Sequence, residues 1–388
     1  MVGVDRILER RQYSELRRRI VRWAMQPLFR VSDTRLTQTQ DLSGSNIRRI
    51  LICRPNHRLG NLLLLTPLVT EIQRIFPDAD VDIVLAGEHV AELFQAFPNV
   101  RHIYNLSRRM VRHPIALGRT AVRIRRARYD LAIDPCEASQ SSRLLVAVAK
   151  PKYAIGTPRS RSMAGTAPIR TARAPAHMAQ WPVYLLRGTV TSRPAEREFP
   201  VLDIRLSEEE RQHAWQVLLP LIHAGGSRHA RAVVGVFAQA TGAKRYNENW
   251  WRRFIGEIRA HHADFAIVEI APPDGRPRLA TGCPSFASPS PREVAAVISN
   301  MTCFVSADCG VMHLASASGT PTIGLFSVTD VSKYAPYGHG SRALDTNGKS
   351  PEQIAQAAVA LTETLIADKT CAWCQPLRDA LHDNGDPP

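Results

Sequence analysis

Residues 303–338 read CFVSADCGVMHLASASGTPTIGLFSVTDVSKYAPYG, and the order of residue types within this stretch decides the fold. It opens with a short apolar run, 303–305, that predicts a buried strand. A glycine-containing turn follows, and a small-residue helix is expected over 311–318. Thr322–Phe326 is a second apolar run and predicts a second buried strand. A strand, a turn, a helix and a strand in this order are typical of an open α/β sheet that binds phosphorylated ligands.

The turn itself, Asp308, Cys309 and Gly310, is expected at the carboxyl end of a strand and at the N-terminus of a helix. Free backbone N–H groups and the positive end of the helix dipole attract an anion at such a position. His313 lies one turn into the helix and is interpreted either as a ligand contact or as a buried packing residue. Thr329 stands in the turn after the second strand.

These residues resemble the donor-binding end of the heptosyltransferase family, glycosyltransferase family 9. That family carries a D-x-G-x-x-H-L-A helix start, then G-T-P, a strand and a P-T-D turn. The matching positions are Asp308, Gly310, His313, Leu314, Ala315, Gly319, Thr320, Pro321, Thr329 and Asp330.

The resemblance covers roughly residues 48–340 and implies an α/β fold with two Rossmann-like domains facing a cleft, the GT-B architecture. It implies inverting transfer of a sugar, such as heptose from the nucleotide sugar ADP-heptose, to an anionic lipopolysaccharide-type or other surface-glycan acceptor. No metal and no cofactor are expected, because a lysine and a helix N-terminus can stabilise the departing diphosphate.

The chain has 388 residues, which suits two domains of ordinary size. No apolar run approaches the ~20 residues that span a bilayer, and the N-terminus lacks the pattern of a signal peptide. Seven cysteines are an odd number without a regular disulfide framework, which suits a reducing compartment. These features predict a cytoplasmic protein.

The net charge of +15 is unevenly distributed, since residues 101–195 hold 18 Lys and Arg against three acids. Such a concentration attracts polyanions, namely anionic glycolipids, phosphorylated saccharides or nucleic acid, or it is simply a solvated basic face. Nucleic acid is not expected as a partner, because no nucleic-acid motif or aromatic platform accompanies the charge.

Residues 1–46 are interpreted as a basic N-terminal extension and linker. Residues 1–30 predict an amphipathic helix with seven arginines between Arg6 and Arg22. Such a helix either lies on the inner leaflet of an anionic membrane or packs on its own protein. Peripheral membrane contact is therefore one of two open predictions for this segment.

The first domain, 47–195, opens with the strand Arg49–Cys53, a loop, a helix over 61–76 and the strand Asp80–Leu85. The family resemblance extends here to Leu65, Thr66, Pro67, Phe76 and Pro77, but the loop aspartate that usually serves as general base is Asn61 in this chain. An amide cannot accept a proton at neutral pH, so Asn61 can only position the acceptor.

His57 is the nearest residue along the chain that could take the proton instead. It could equally be a loop histidine that only forms hydrogen bonds. Two alternatives remain open: an acidic group of the acceptor takes part, or the protein is a sugar- or partner-binding relative that has lost catalysis.

The acceptor is expected on the basic first domain, where a strand over 129–134 and a Gly-, Pro- and Arg-rich loop over 156–182 follow the opening unit. At the positions that match the family motif stand Asp134, Ser141, Ser142, Arg143, Ile155 and Gly156. The predicted acceptor-binding residues are Arg54, Arg58, Asp134, Arg159 and Arg161.

The second domain, 196–345, is expected to bind the donor. After the strand Ala232–Phe237, a small-residue turn contains Thr241, Gly242 and Lys244, where the family has a turn followed by a lysine. A lysine at a strand end can reach donor phosphate oxygens.

Residues 346–388 form a C-terminal helix and tail. The helix, expected over 350–367, is predicted to pack back across the first domain. Cys371 and Cys374 form a single C-x-x-C pair, and with no second pair of matching spacing a zinc site is not favoured.

Overall fold

Two parallel sheets form the framework of the protein. The computed structural model of the chain describes residues 42–87, 89–106, 114–136, 139–156, 174–190, 198–226, 230–277, 279 and 282–367. The first sheet has five strands in the order β3-β2-β1-β4-β5. They are β1 (Arg49–Cys53), β2 (Asp80–Leu85), β3 (Val100–Asn105), β4 (Leu131–Ile133) and β5 (Tyr153–Ile155).

The second sheet has six strands in the order β11-β10-β9-β6-β7-β8, the order of a doubly wound dinucleotide-binding fold. They are β6 (Ala232–Phe237), β7 (Phe265–Ile270), β8 (Ser285–Phe286), β9 (Cys303–Ala307), β10 (Thr322–Phe326) and β11 (Arg342–Asp345). β6, β7, β9 and β10 are buried along their whole length, which explains why their sequences are mostly apolar. The polar residues within them, Glu269, Ser306 and Thr322, are buried as well. The predicted pair of Rossmann-like domains is confirmed.

Helices connect the strands and cover the sheets. In the first domain they are α1 (Leu59–Leu63), α2 (Thr66–Ile75), α3 (Pro114–Arg126), α4 (Gln140–Ala149) and α5 (Gln180–Arg187). In the second they are α6 (Glu208–Ala224), α7 (Glu248–His261), α8 (Pro291–Ile298), α9 (Gly310–Ala317), α10 (Val331–Tyr334) and α11 (Pro351–Ala367). Short 3-10 turns lie at Ala91–Phe94 and Gly242–Lys244.

The helix expected over 61–76 is two helices, α1 and α2, with a break at Leu64 and Leu65. Pro67 causes the break, because it has no N–H to donate to the carbonyl of Leu63. The hydroxyl of Thr66 donates to that carbonyl instead, at 2.9 Å. The interruption leaves α1 as a separate short helix that can point at the second domain.

The C-terminal helix α11 packs on the second domain, so the prediction that it crosses the first domain is wrong. Its face formed by Ile354, Ala355 and Ala358 joins the core beneath α7. Arg253 of α7 donates two hydrogen bonds to Glu352, at 2.6 and 2.8 Å. This apolar face matches α7, and the ion pair fixes the alignment of the two helices.

Two anchors hold the domains against each other on the sides of the cleft. In the first, Arg292 of α8 is 6% exposed and donates to the carbonyl of Glu92 in the first domain at 3.4 Å. Within its own domain it donates to the carbonyls of Ile204 and Arg205, both at 2.9 Å. Arg292 also pairs with Glu210, and Ser290 donates to Glu92 of the first domain at 2.8 Å.

In the second anchor, His177 of the first domain hydrogen-bonds through Nε2 to the carbonyl of Ala335 at 3.0 Å. Its Nδ1 accepts from the N–H of Ala179 at 3.2 Å, so Nε2 carries the proton in a neutral ring. Burial lowers the pKa of His177, which favours that neutral form. Met178 donates its N–H to the carbonyl of Lys333 at 3.1 Å and extends the contact.

Across the described residues, no helix combines the length and apolar character needed to cross a membrane. The predicted helix over 1–30, Arg159, Arg161 and the Cys371–Cys374 pair lie outside the described residues.

Candidate active site

A cleft of about 720 Å³ separates the carboxyl ends of the two sheets. One wall comes from the loop after β1 and from α1, and the other from the turn after β6 and the turn after β9. The lining residues are His57, Arg58, Leu59, Gly60, Asn61, Phe237, Gln239, Ala240, Thr241, Lys244, Asp308, Cys309, Gly310, Val311, His313 and Tyr334. Sites of α/β proteins lie at this edge of the sheet.

The floor of the cleft is a contact between α1 and α9 in which two glycines face each other. A Cβ atom on Gly310 would lie 3.0 Å from Cβ of Leu59 and 3.1 Å from the backbone nitrogen of Gly60. A Cβ atom on Gly60 would lie 2.8 Å from Cδ2 of His313 and 3.3 Å from Cα of Gly310. Glycine is therefore required for close approach at both positions, and this approach brings the two walls together.

Lys244 and Asp308 form an ion pair on the second-domain wall, with Nζ 2.5 Å from Oδ2. The carboxylate side chain is 7% exposed and the lysine 34%. An ammonium group has three N–H donors, so Lys244 can hold Asp308 and still donate to a ligand in the cleft. The pair adjoins the N-terminus of α9, whose N-cap residue, Cys309, makes no side-chain cap hydrogen bond. The wall therefore combines a cation with uncapped backbone N–H groups.

His313 projects from α9 against Gly60 and is buried, with 4% of its surface exposed. Burial lowers its pKa to about 4, so the ring is neutral at pH 7. Its Nδ1 is buried and forms no hydrogen bond. A buried polar atom without a partner costs free energy, and here it belongs to a residue that lines the cleft.

The first-domain wall carries His57, Arg58 and Asn61. The side chain of Asn56 accepts a hydrogen bond from the N–H of Arg58 at 2.8 Å, a turn that leaves His57 and Arg58 exposed. Asn61 is half-buried in α1. The two predicted catalytic residues therefore share one wall, opposite the Lys244–Asp308 pair.

Of the remaining predicted donor residues, Thr241 and Cys309 line the cleft, and Gly242 begins the 3-10 turn that carries Lys244. Burial raises the pKa of the Cys309 thiol, so it is not a ready nucleophile. Thr329 is half-buried and is not a lining residue of the cleft.

Arg54 and Asp134, which the sequence placed at the acceptor site, do not line the cleft. Both are buried where β1 and β4 end, and Arg54 donates to the sulfur of Cys136 at 2.6 Å. Asp134 accepts from the N–H of Cys136 at 3.0 Å. Burial raises the pKa of Asp134 to about 6, while nearby Arg143 and Arg54 pull it down. The group forms a polar cluster inside the first domain.

Seven lining residues were not predicted as site residues: Leu59, Gly60, Phe237, Gln239, Ala240, Val311 and Tyr334. Phe237 and Gln239 follow the same rule as the predicted residues, because they stand at the carboxyl end of β6. Tyr334 ends α10, and its position depends on how that helix folds back over the cleft. In the part of the chain that the structure describes, no group of three His, Cys, Asp or Glu side chains could hold a metal ion.

Comparison with known proteins matches residues 117–360 to the model of glycosyltransferase family 9 (heptosyltransferase), which is more than half of the chain. The chain belongs to glycosyltransferase family 9. Among curated proteins no sequence match is found. The two-domain cleft architecture is thus the GT-B fold of this family.

Solved structures similar to this family member share its fold at low identity. A family 9 glycosyl transferase from Veillonella parvula has a TM-score of 0.65 at 17% identity, covering 86% of this chain and 100% of its own. E. coli heptosyltransferase WaaC with ADP gives 0.59 at 20% identity, and E. coli ADP-heptose lps heptosyltransferase II gives 0.60 at 15%. In both E. coli comparisons, 82% of this chain and 99% of the other are covered.

Proposed function

We propose that this family 9 glycosyltransferase is an inverting enzyme that transfers heptose from ADP-heptose to an anionic lipopolysaccharide-type acceptor in the cytoplasm. The observation that carries the proposal is the cleft itself. The Lys244–Asp308 pair and the uncapped N-terminus of α9 form one wall, and His57, Arg58 and Asn61 form the other.

The donor assignment rests on charge. A nucleoside diphosphate is a dianion or trianion near neutral pH, and Lys244 with the N–H groups after Gly310 supplies positive potential for it. Asp308 is then positioned for hydroxyl groups of the sugar, and His313 has a free ring nitrogen for a further polar contact. Two of the similar solved structures are WaaC with ADP and WaaC with ADP-2-deoxy-2-fluoro heptose, which supports an adenine nucleotide as the donor.

In the proposed reaction, the acceptor hydroxyl attacks the anomeric carbon from the face opposite the nucleotide. The bond from that carbon to the diphosphate oxygen breaks, and ADP leaves with the negative charge. Lys244 and the N-terminus of α9 stabilise that charge without a metal ion. Arg58, exposed on the acceptor wall, attracts the anionic acceptor.

Calorimetric titration of the wild-type protein with ADP, UDP and GDP tests the donor assignment. We expect selective binding of ADP, followed by product formation when an ADP-sugar and a lipopolysaccharide-type acceptor are supplied. Selective binding of UDP or GDP would be consistent with a glycosyltransferase but would contradict the assignment of an ADP-sugar as its donor. Absence of binding to all three nucleotides would contradict the enzyme assignment.

The proton acceptor is the point where this chain departs from the family pattern. His57 is exposed on the wall opposite the donor, whereas Asn61 cannot act as a base. We expect His57→Ala to lower kcat by 10²-fold or more, the usual contribution of general base catalysis. Asn61→Asp in that background is expected to restore part of the rate, since it returns a carboxylate to the position of the family base.

Rate measurements over pH on these variants decide between two outcomes. A kcat that stays within a few-fold of wild type in His57→Ala would reject His57 and favour an acidic group of the acceptor as the base. Asn61→Gln serves as the control for the restoration, since it keeps an amide and is expected to restore nothing.

Asn61 also favours a second candidate function, a non-catalytic sugar- or partner-binding role. Under that alternative, nucleotide binding persists and no donor is turned over, with or without the Asn61→Asp substitution. Product formation by the wild-type protein excludes it.

A further inference from the structure

Helix α3 (Pro114–Arg126) exposes an unusual amount of apolar surface on the first domain. Ile115 is 73% exposed, Val122 is 49% exposed and Leu117 is 39% exposed. These are three of the six large hydrophobic residues that are exposed within the described chain. Apolar exposure is thus concentrated on one helix of 13 residues.

The helical repeat places Ile115 and Val122 on one outward face, whereas Leu117 lies about 200° from Ile115. Ile115, Arg119, Val122 and Arg126 fall within an arc of about 60° at 3.6 residues per turn. Ile124 lies about 180° from Ile115 on the same repeat and is fully buried. The helix therefore rests on the domain through Ile124 and presents alternating isoleucine, valine and arginine side chains to the solvent.

Among the described residues, no acidic side chain pairs with the charge of this face. The helix carries Arg119, Arg123, Arg125 and Arg126, all exposed, and contains no Asp or Glu. Arg119, Arg123 and Arg126 form no ion pair with another described residue. Arg125 donates to the carbonyl of Ala149 at 3.5 Å, a neutral partner.

We propose that this face of α3, defined by Ile115, Arg119, Val122 and Arg126, docks the protein on the surface of an anionic phospholipid bilayer. Arginines beside exposed aliphatic side chains are what an interfacial helix needs: the guanidinium groups pair with lipid phosphates, and the aliphatic groups enter the boundary of the acyl chains. The inference goes beyond the proposed function, because it rests on the helix surface and not on the cleft.

Charge and composition favour a bilayer over the other occupants. Nucleic acid would use the arginines but gain little from Ile115 and Val122, and α3 has no aromatic residue on which bases could stack. A second copy of the same face would bring arginines against arginines. The segments 1–41 and 157–173 carry net charges of +4 each, nine Arg against five acids and four Arg against none, so the basic face repels them.

Vesicle co-sedimentation of the full chain tests the proposal. The protein is mixed with vesicles of phosphatidylcholine alone, or of phosphatidylcholine with phosphatidylglycerol, at low and high salt. We compare wild type with Ile115→Ser/Val122→Ser and with Arg119→Gln/Arg126→Gln. The matched control is Val328→Ser/Arg342→Gln, which removes an exposed valine and an exposed arginine from the second domain.

We expect wild type and control to bind the anionic vesicles and to release them at high salt. The arginine pair is expected to weaken binding by about tenfold or more, since one basic residue near an anionic surface accounts for roughly fivefold. The serine pair should weaken binding to a similar degree and leave circular dichroism and melting unchanged, because both side chains are exposed.

Three results would overturn the proposal. The first is a wild type that does not bind anionic vesicles, as expected if the tail 368–388 covers this face. The second is equal vesicle binding by wild type and both α3 variants, as expected if another segment such as 1–30 supplies the contact. The third is tighter binding to duplex DNA than to vesicles, weakened by the arginine substitutions and unchanged by the serine substitutions.

Discussion

Lys244→Ala is expected to raise the dissociation constant for ADP at least tenfold, about 1.4 kcal/mol, and to lower kcat by 10²- to 10³-fold. The substitution removes the cation of the donor wall and leaves Asp308, with its side chain 7% exposed, without its partner. The uncompensated carboxylate then repels the diphosphate. Loss of the cation and repulsion by the carboxylate both weaken ADP binding. The repulsion increases in the transition state, because ADP departs with negative charge.

Asp308→Ala should behave differently. Lys244 keeps its charge, so ADP affinity is expected to change by less than in Lys244→Ala, while kcat falls because Asp308 lies where the sugar is proposed to bind. In Lys244→Ala/Asp308→Ala the repulsion is absent, so ADP affinity should recover relative to Lys244→Ala alone. Such a recovery is a coupling energy, which a double-mutant cycle measures directly.

Lys152→Ala provides the matched control for this cycle. Lys152 pairs with Asp130 at 2.6 Å in the first domain, where both lie outside the cleft lining. We expect ADP affinity and kcat to stay at wild-type values in this variant. Equal ADP affinity in wild type and Lys244→Ala, measured by calorimetry, would contradict the assignment of Lys244 to the diphosphate.

Gly310→Ala is expected to lower kcat by at least 10²-fold while the protein remains folded. The added methyl group meets Cβ of Leu59 and the backbone nitrogen of Gly60, so α1 and α9 must move apart. A displacement on the order of 1 Å between catalytic groups costs about that factor in rate. The N–H of residue 310 is retained, so ADP affinity should fall much less than kcat.

Small-angle X-ray scattering provides a second readout for this variant, since separation of the walls raises the radius of gyration. Gly60→Ala should reproduce the effect from the other side of the contact, because its methyl group meets His313 and Gly310. The control is Gly256→Ala in α7, where a Cβ atom meets nothing within 4 Å. There we expect unchanged kcat and about 0.5–1 kcal/mol of added stability. A Gly310→Ala enzyme with wild-type kcat and scattering would show that close approach of α1 and α9 is not needed for catalysis.

The parts of the fold that were predictable are those in which a strand is an uninterrupted apolar run. β6 and β10 were predicted with the boundaries that the structure has, because strands buried on both faces are apolar almost throughout. The cleft residues followed from topology, since parallel strands place the residues after their carboxyl ends on one edge. Asp308 and Lys244, 64 positions apart, meet there for that reason.

Other features depend on tertiary contacts that a single sequence does not display. Arg54 and Asp134 directly follow strands, as the cleft residues do, but they are buried inside the first domain. Polar groups of Cys136, Ser142 and Arg143 surround them there and make their burial possible. For α11, the helix and its length were predicted from the sequence. The domain on which it packs was not predicted, because that depends on the contact of Ile354 with the core beneath α7 and on the ion pair between Glu352 and Arg253.

The two anchors between the domains, at Arg292 and at His177, have a mechanical consequence. Together with the contact between Gly60 of α1 and Gly310 of α9, they fasten the two domains at three separate places. Opening of the cleft therefore has to loosen at least one of these three contacts. Substitution of Ala335 should leave its anchor in place, because His177 binds that residue through its backbone carbonyl. Arg205 differs from Ala335, since its own side chain donates to Gln73 of the first domain at 2.7 Å.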